Sequence, residues 1–481
     1  MLQESIPTTA DLRHAWHGLP WQNGILCGKS ASHDAKRGRA IAELFAAAFP
    51  VQRESPMRDY LADPSGFLWM TGIEDTFIAC PSAKTGRTLD EYELTGHYRH
   101  WQRDFSLLAG LGVKAIRYGV PWYRINPAPG RWDFSHADAT LERLLELEIE
   151  PIVDLVHYGV PDWIEGAFLN PDFDRYMAEY AARLAYRFKD RIRHYTPLNE
   201  PRITAWYCGK LGLWPPYGRG WRDFVRVMLG ICRGIVRTEQ ALHEVDPEIV
   251  DLHVDATDLY ETPDPALNAE TARRQEMVFL ALDLVSGKVS REHPLFDWML
   301  GMGASAAELE WFWDRAIDLD LVGINLYPLF SKKVLKREKG HLRVRMPYAP
   351  ASIVEDLGEQ YFARYGRPII IAETASEGSV ERRLAWLDES VAAVTRLRRR
   401  GIPIIGYTWW PMFALVTWAY RQGNKAVENY LKQMGLWDLV PRGGGELERV
   451  ATPLVEAYRD LVKGGVTSAG PLLAREQRHV S

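Results

Sequence analysis

From about Gly66 onward, short apolar runs alternate with longer amphipathic stretches along the whole chain. Eight of the short runs read as strands, at 67–70, 113–118, 150–157, 194–198, 248–254, 321–325, 368–373 and 402–409. Eight amphipathic stretches follow them in turn, at 98–110, 137–148, 173–189, 221–245, 269–285, 353–365, 380–400 and 452–461. A continuous apolar strand followed each time by a helix implies parallel βα units whose strands are buried on both faces. Eight such units predict an α/β fold closed into a (β/α)8 TIM barrel, rather than an open doubly wound sheet. No G-x-G-x-x-G follows a strand, which counts against dinucleotide binding.

A chain of 481 residues would divide into about three domains on length alone, yet one barrel with insertions can occupy most of it. Residues 66–463 are therefore read as a single barrel. Residues 1–65 break the alternation and hold one candidate helix at 35–48, ended by Pro50; they are expected to be an N-terminal extension packed on the barrel. Residues 464–481 read as a polar tail.

Composition excludes several classes. Lys plus Arg is 58 and Asp plus Glu is 63, a formal net charge of −5, so there is no electrostatic footprint for nucleic acid. No run of about 18 apolar residues is present, so no membrane span is expected. The N-terminus lacks the basic and apolar regions of a signal peptide. Four scattered cysteines, Cys27, Cys80, Cys208 and Cys232, form no C-x-x-C pair and read as reduced thiols of a cytoplasmic protein. His14, His17, His33, His97 and His100 form no metal-ligand motif, and His97 and His100 read as helix-start and packing residues. The basic run at 396–400 falls in the last turn of a helix, where cations complement the dipole.

In such barrels the chemistry sits at the C-terminal ends of the strands. Those ends carry Arg117; His157 and Tyr158; Asn199 and Glu200; His253 and Asp255; Asn325 and Tyr327; Glu373; and Trp409 and Trp410. A purely structural barrel would place Val, Ile and Leu there. Two carboxylates on the fourth and seventh strands, in an aromatic-rich setting, suit glycoside hydrolysis. One must be a protonated acid for the leaving oxygen, and the other an ionised group that attacks the sugar or activates water.

The motifs at these positions are specific. The segment TPLNEP, 196–201, resembles the T-x-N-E-P acid/base motif of glycoside hydrolase family 1, the β-glucosidase family. FLW at 67–69, the stretch 97–127, PIVDLVHYGVPDWI at 151–164, GINLYP at 323–328, and WWPMFALVTWAY at 409–420 with MGLWDL at 434–439 resemble other family segments in the same order. The resemblance implies roles. Glu200 matches the acid/base and Glu373, in IIIAETASEG, the nucleophile. Asn199 matches the residue that bonds the sugar 2-hydroxyl. Arg117 matches the arginine beside the nucleophile, expected to keep Glu373 ionised by lowering its pKa. Tyr327 matches the tyrosine that donates to the nucleophile, His157 a glycone-binding histidine, and Trp410 and Trp418 the wall under the sugar ring. Asn325 lies in the matching sixth-strand segment.

The departures fall in the glycone-binding shell. The family's strand-one glutamine aligns with Phe77, with Glu74, Asp75 and Thr76 nearby. Its strand-eight glutamate aligns with Thr417, and its third-strand tryptophan with Tyr158. The resemblance therefore implies a retaining β-glycosidase with a carbohydrate or glycoside substrate, no metal or organic cofactor, and a non-standard glycone. Two alternatives stay open. One is transglycosylation through the same intermediate, with an acceptor held by aromatic residues such as Trp122, Trp163, Trp206, Tyr207 and Trp214. The other is a carbohydrate-binding protein with weak activity. Oligomeric state is left open.

Overall fold

The computed structural model describes residues 66–464. The proposed N-terminal extension, with its candidate helix, Cys27 and three histidines, lies outside the described residues, as does the tail from 465 onward.

Eight strands close a parallel barrel, each paired with its neighbours in chain order and the last with the first. They are β1 (Leu68–Gly72), β2 (Ala115–Gly119), β3 (Glu150–Asp154), β4 (His194–Thr196), β5 (Val250–Ala256), β6 (Leu321–Asn325), β7 (Ile369–Thr374) and β8 (Ile404–Trp409). Each lies within or next to a run expected from the sequence. The eight barrel helices are α1 (His97–Leu111), α2 (Ser135–Glu146), α3 (Phe173–Arg187), α4 (Gly220–Val245), α5 (Asn268–Val285), α6 (Ser352–Tyr365), α7 (Val380–Arg399) and α8 (Pro453–Gly464).

The core has two layers. Leu68, Met70, Ala115, Ile152, Leu252, Val254, Leu321, Ile370, Ala372 and Ile405 form one apolar cluster inside the barrel. The larger cluster fills the shell between strands and helices. Strands buried on both faces have no polar side to show water, which is why they read as apolar runs and not as alternation. Gly323 keeps the interior from overfilling, since a Cβ there would lie 2.8 Å from Val254 Cγ2 and 3.0 Å from Ala372 Cβ.

Elements beyond the βα rhythm sit in the loops. A hairpin, Lys332–Glu338 with His341–Arg345, extends the short strand Leu259–Glu261. A second hairpin, Trp437–Gly443 with Glu446–Ala451, is tied to α1 by a buried fork from Arg449 to Asp104, both bonds 2.9 Å. Asp104 also binds His97 at 2.8 Å, so that histidine is a buried packing residue. In the basic run, Arg396 and Arg400 pair with Glu355 on α6. Cys80, Cys208 and Cys232 are free thiols. Among the described residues no helix is long and apolar enough to cross a membrane.

Candidate active site

Arg117, His157, Tyr158, Asn199, Glu200, Asn325, Tyr327 and Glu373 converge into one hydrogen-bonded web, whereas His253 pairs with Glu239, Asp255 accepts from the Ala256 N–H and the Trp409 indole donates to the Met434 carbonyl. The hub of the web is Arg117 on β2, fully buried. Nη1 donates to Glu373 Oε1 at 2.7 Å and to the Ala372 carbonyl at 3.2 Å. Nη2 donates to Asp154 and, at 3.0 Å, to Asn199 Oδ1. The second oxygen of Glu373 accepts from the Tyr327 hydroxyl at 2.7 Å.

Glu200 follows β4. Its backbone N–H donates to Val254 at 3.0 Å, which holds this segment beside β5. It sits at φ 47, immediately before Pro201, which opens the short helix Pro201–Ala205. A proline disfavours helical conformation in the residue before it, and a left-handed non-glycine residue costs about 1–3 kcal/mol. Tyr158, at φ 71, is in the same region of backbone space and donates its hydroxyl to Glu200 Oε2. Asn325 Nδ2 donates to Glu200 Oε1 at 2.9 Å and to Asn199 Oδ1 at 3.2 Å. Both carboxylates are thus fixed by neutral or cationic donors from other strands.

Asn199 has a defined orientation. Its oxygen is taken by Arg117 and Asn325, so its Nδ2 faces Tyr158 at 3.2 Å and His157 Nε2 at 2.9 Å. His157 Nε2 must then accept, which puts the ring proton on Nδ1, toward Asp75 and Asp154. Burial opposes a second proton on His157, but Asp75 and Asp154 outweigh it and raise its affinity well above the usual histidine value. Taking up that proton would break the bond from Asn199.

The electrostatics correct one expectation. Arg117 does pull the Glu373 pKa down, but burial is the larger effect and the charge of Glu200 adds to it, so the carboxyl is pushed up to about 8. Glu200 is also raised, chiefly by burial. Two buried acids in one web titrate as a pair, and a single proton between them is the favoured state near neutrality.

Trp410 lies against this web, stacked on His157 with planes 6° apart and centroids 5.9 Å apart, and with Arg117 Cζ 4.7 Å from its ring centroid. Two glycines make room for this wall. A Cβ on Gly72, at the end of β1, would lie 1.9 Å from the Trp410 ring, and one on Gly119, at the end of β2, 2.0 Å from Asp75 Oδ2. Trp418 packs on Tyr158, Tyr207 and Trp214 with centroids 5.1, 5.0 and 4.9 Å away. Of the other aromatics, Trp122 stacks on Tyr180, Trp163 packs on Tyr176, and Trp206 packs on Trp221.

Residues 70–274 match glycosyl hydrolase family 1. That match covers under half of the chain, and over it the chain is similar to this family. Among curated relatives, a 1,4-β-D-glucan glucohydrolase of Thermotoga neapolitana is 32% identical over 152 residues, 30% of this chain and 34% of that protein. Beta-glucosidase A of Thermotoga maritima is 33% identical over 194 residues, 38% of this chain and 42% of that protein. The chain therefore spans well under half the length of these relatives. In structure, a β-glucosidase from Thermotoga maritima in complex with deoxynojirimycin superposes with a TM-score of 0.71, at 20% identity, over 83% of this chain and 98% of that one. That likeness establishes the shared barrel fold.

The departures from the family 1 pattern have structural outcomes. Phe77 is buried against Tyr92, centroids 5.0 Å apart, and offers no polar group. Thr417 is partly buried, and its backbone N–H donates to Tyr430 at 2.8 Å; the polar web just described is built without it. Carboxylates from elsewhere stand in the wall instead. Glu74 accepts from Trp410 Nε1 at 3.0 Å and from the Thr76 hydroxyl at 2.6 Å. Glu91 accepts from the backbone N–H of Val416, next to Thr417, at 3.0 Å. Asp75 and Asp154 flank His157. Glu91 and Asp154 join this cluster without having been singled out in the sequence, where Glu74 and Asp75 were named only beside the missing glutamine. Glu74, Asp75 and His157 each bring a ligand atom within 4.8 Å of the others, so this cluster has the donors for a metal ion.

Proposed function

We propose that the protein is a retaining β-glycosidase acting by double displacement. Glu373 attacks the anomeric carbon as its bond to the leaving oxygen breaks, and Glu200 gives that oxygen its proton. Glu200 then takes a proton from water, which attacks the glycosyl ester and releases Glu373. The observation that carries this reading is the unequal support of the two acids. Glu373 is held by a guanidinium and a phenol, Glu200 by a phenol and an amide. Arg117 is in direct contact with Glu373 and not with Glu200, and its charge opposes the protonation that burial favours at Glu373, which is the direction the first step requires.

Asn199 would bond the sugar 2-hydroxyl, with Trp410 and Trp418 as the apolar walls of the glycone site and His157, Tyr158, Asn325 and Tyr327 lining it. The rewritten shell supports a non-standard glycone, because a buried polar group left unmatched by a substrate hydroxyl is costly. Plain β-D-glucosides are expected to be poor substrates. Aryl glycosides of varied configuration, assayed with the wild type, Glu200→Gln and Glu373→Gln, test the reading. Turnover of at least one by the wild type, lost in Glu373→Gln, is expected; a wild type inert to all of them contradicts it.

A further inference from the structure

Three groups of histidine and carboxylate side chains bring donor atoms within 4.8 Å of one another among the described residues. Two of them are already served by a guanidinium. In the group Glu276, Asp283 and His293, Arg364 donates to Asp283 Oδ1 and to Glu276 Oε2, both at 2.9 Å. The group Glu74, Asp75 and His157 belongs to the candidate active site, where the charge of Arg117 acts on Asp75. The third group is His243, Asp251 and Asp320, and among the described residues no Lys or Arg forms an ion pair with any of its members.

This group stands at the opposite end of the barrel from Glu200 and Glu373. Asp251 is the second residue of β5, Asp320 immediately precedes β6, and His243 lies in the last turn of α4. β5 and β6 are neighbours, so strand pairing brings the two carboxylates together, and the Asp251 N–H donates to Asp320 Oδ2 at 3.0 Å. His243 Nε2 meets Asp251 Oδ2 at 3.0 Å. Asp251 is buried, while His243 and Asp320 are half-buried and reach solvent.

Asp251 Oδ1 is an independent observation. It is buried, and no hydrogen bond reaches it among the described residues. A carboxylate oxygen in that state lacks the donor that burial demands. Even with a proton on each ring nitrogen, His243 bonds only the other oxygen and offsets one of two carboxylates. Glu239, behind Asp251, brings no cation: it pairs with His253, whose affinity for a second proton is lowered by burial.

We infer that His243, Asp251 and Asp320 form a structural site for one divalent cation of the zinc type. One imidazole with two carboxylates suits zinc, whereas magnesium and calcium take oxygen ligands. Zinc bonds of about 2.0–2.2 Å hold ligand atoms about 3–3.5 Å apart, and His243 Nε2 and Asp251 Oδ2 already stand at 3.0 Å. Water completes the shell on the exposed side. The ion sets two positive charges against two carboxylates and takes the place of the proton between His243 and Asp251, which passes to Nδ1 or to solvent. It ties the end of α4 to the starts of β5 and β6, on the face where a TIM barrel keeps stability rather than chemistry. The inference is independent of the glycosidase reading.

The test is metal binding. The full chain, carrying no polyhistidine tag and stripped with a chelator, is titrated calorimetrically with zinc chloride near neutral pH, and its zinc content is measured after dialysis. One zinc per chain, bound with a Kd of about 10 µM or tighter, and a raised thermal midpoint are expected. Magnesium and calcium are expected to bind about a hundredfold more weakly or less. His243→Gln and Asp320→Asn, both at half-buried positions, are expected to weaken zinc binding by about tenfold or more. Circular dichroism and the metal-free melts establish that each variant folds; should one fail, the other carries the comparison. Zinc-edge X-ray absorption is expected to show oxygen ligands with a single imidazole. No binding by the wild type at about 100 µM zinc, binding undiminished in the folded variants, which marks an adventitious ion only, or binding lost instead in His157→Gln overturns the inference.

Discussion

Arg117 Nη1 and Glu373 Oε1 meet at 2.7 Å although they belong to β2 and β7, which are not neighbours in the barrel. The guanidinium reaches across the lumen and ties two distant strand ends together, with Asp154 and Asn199 on its other nitrogen. Removing it leaves two buried carboxylates without their cation. Arg117→Met is expected to lower stability by about 3–5 kcal/mol, the usual consequence of breaking a buried pair from one side. Because Arg117 pulls the Glu373 pKa down, its loss moves the acid limb of the kcat/KM profile to higher pH. Urea titration and a pH–rate profile of the variant check both; an unmoved acid limb would separate Arg117 from the ionisation of Glu373.

Tyr327 contributes one hydrogen bond to Glu373 from a half-buried position. Tyr327→Phe is expected to reduce kcat/KM by about tenfold, the value of a bond to a charged group, with little change in unfolding midpoint. Steady-state kinetics and thermal melts on the same preparation test this.

Gly119 and Asp75 form a close approach that no larger residue could share, since a Cβ at 119 would sit 2.0 Å from Asp75 Oδ2. Gly119→Ala is expected to displace Asp75 from His157 and to cost about 1–3 kcal/mol, as overpacking does in a tight core. Comparison with Asp75→Asn separates steric from electrostatic loss: both should disturb His157, and the alanine variant alone should show strain.

Much of the architecture was legible because the barrel strands are buried on both faces and the helices on one. Apolar runs such as Ile369–Thr374 and the stripe along Gly220–Val245 betray those environments directly. The strand-end residues were legible for the same reason in reverse, since polar groups interrupt an apolar run only at its mouth. The glycone wall was not. Glu91 stands at no barrel-strand end, and its anchor, Val416, is 325 positions away. Asp75 becomes a partner of His157 only because Gly119 is small enough to admit it. The hairpin Lys332–Glu338 and His341–Arg345 escaped notice because its strands are mostly charged and carry only a few apolar residues, among them Leu335, Leu342 and Val344. The net rise of the Glu373 pKa depends on burial, a quantity no motif carries.

Stability should depend on pH in a direction set by these buried acids. Glu373 and Asp255 are pushed up to about 8, and Asp75 to about 7, mainly by burial. In the unfolded chain these groups lose their protons near pH 4 to 4.5, so between there and about pH 8 the folded state binds more protons, and stability falls as pH rises. His243, raised to about 9 by Asp251, acts in the same direction above its unfolded value of 6.5. His136, lowered to about 4 by burial, opposes them only below that value. Thermal midpoints are therefore expected to decline from about pH 6.5 to about pH 8, and Asp75→Asn to flatten the decline. A midpoint that rises over that interval would contradict the assignment.

The roles of the two acids are separable. With Glu200 as the proposed proton donor, Glu200→Gln is expected to slow aryl glycosides with poor leaving groups by about 10²–10⁴-fold, while a dinitrophenyl glycoside, which needs no proton, still glycosylates the enzyme. A burst of dinitrophenol followed by slow turnover is the expected trace, because water then lacks its base.

The central claim is that Glu373 becomes covalently bonded to the sugar. The direct measurement is to treat the wild type with a dinitrophenyl 2-deoxy-2-fluoro glycoside of a glycone it turns over, digest the inactivated protein, and sequence the labelled peptide by mass spectrometry. The account predicts one added fluoroglycosyl group, carried by Glu373 and absent in Glu373→Gln. Turnover that leaves no adduct, or an adduct on any other residue, would contradict it.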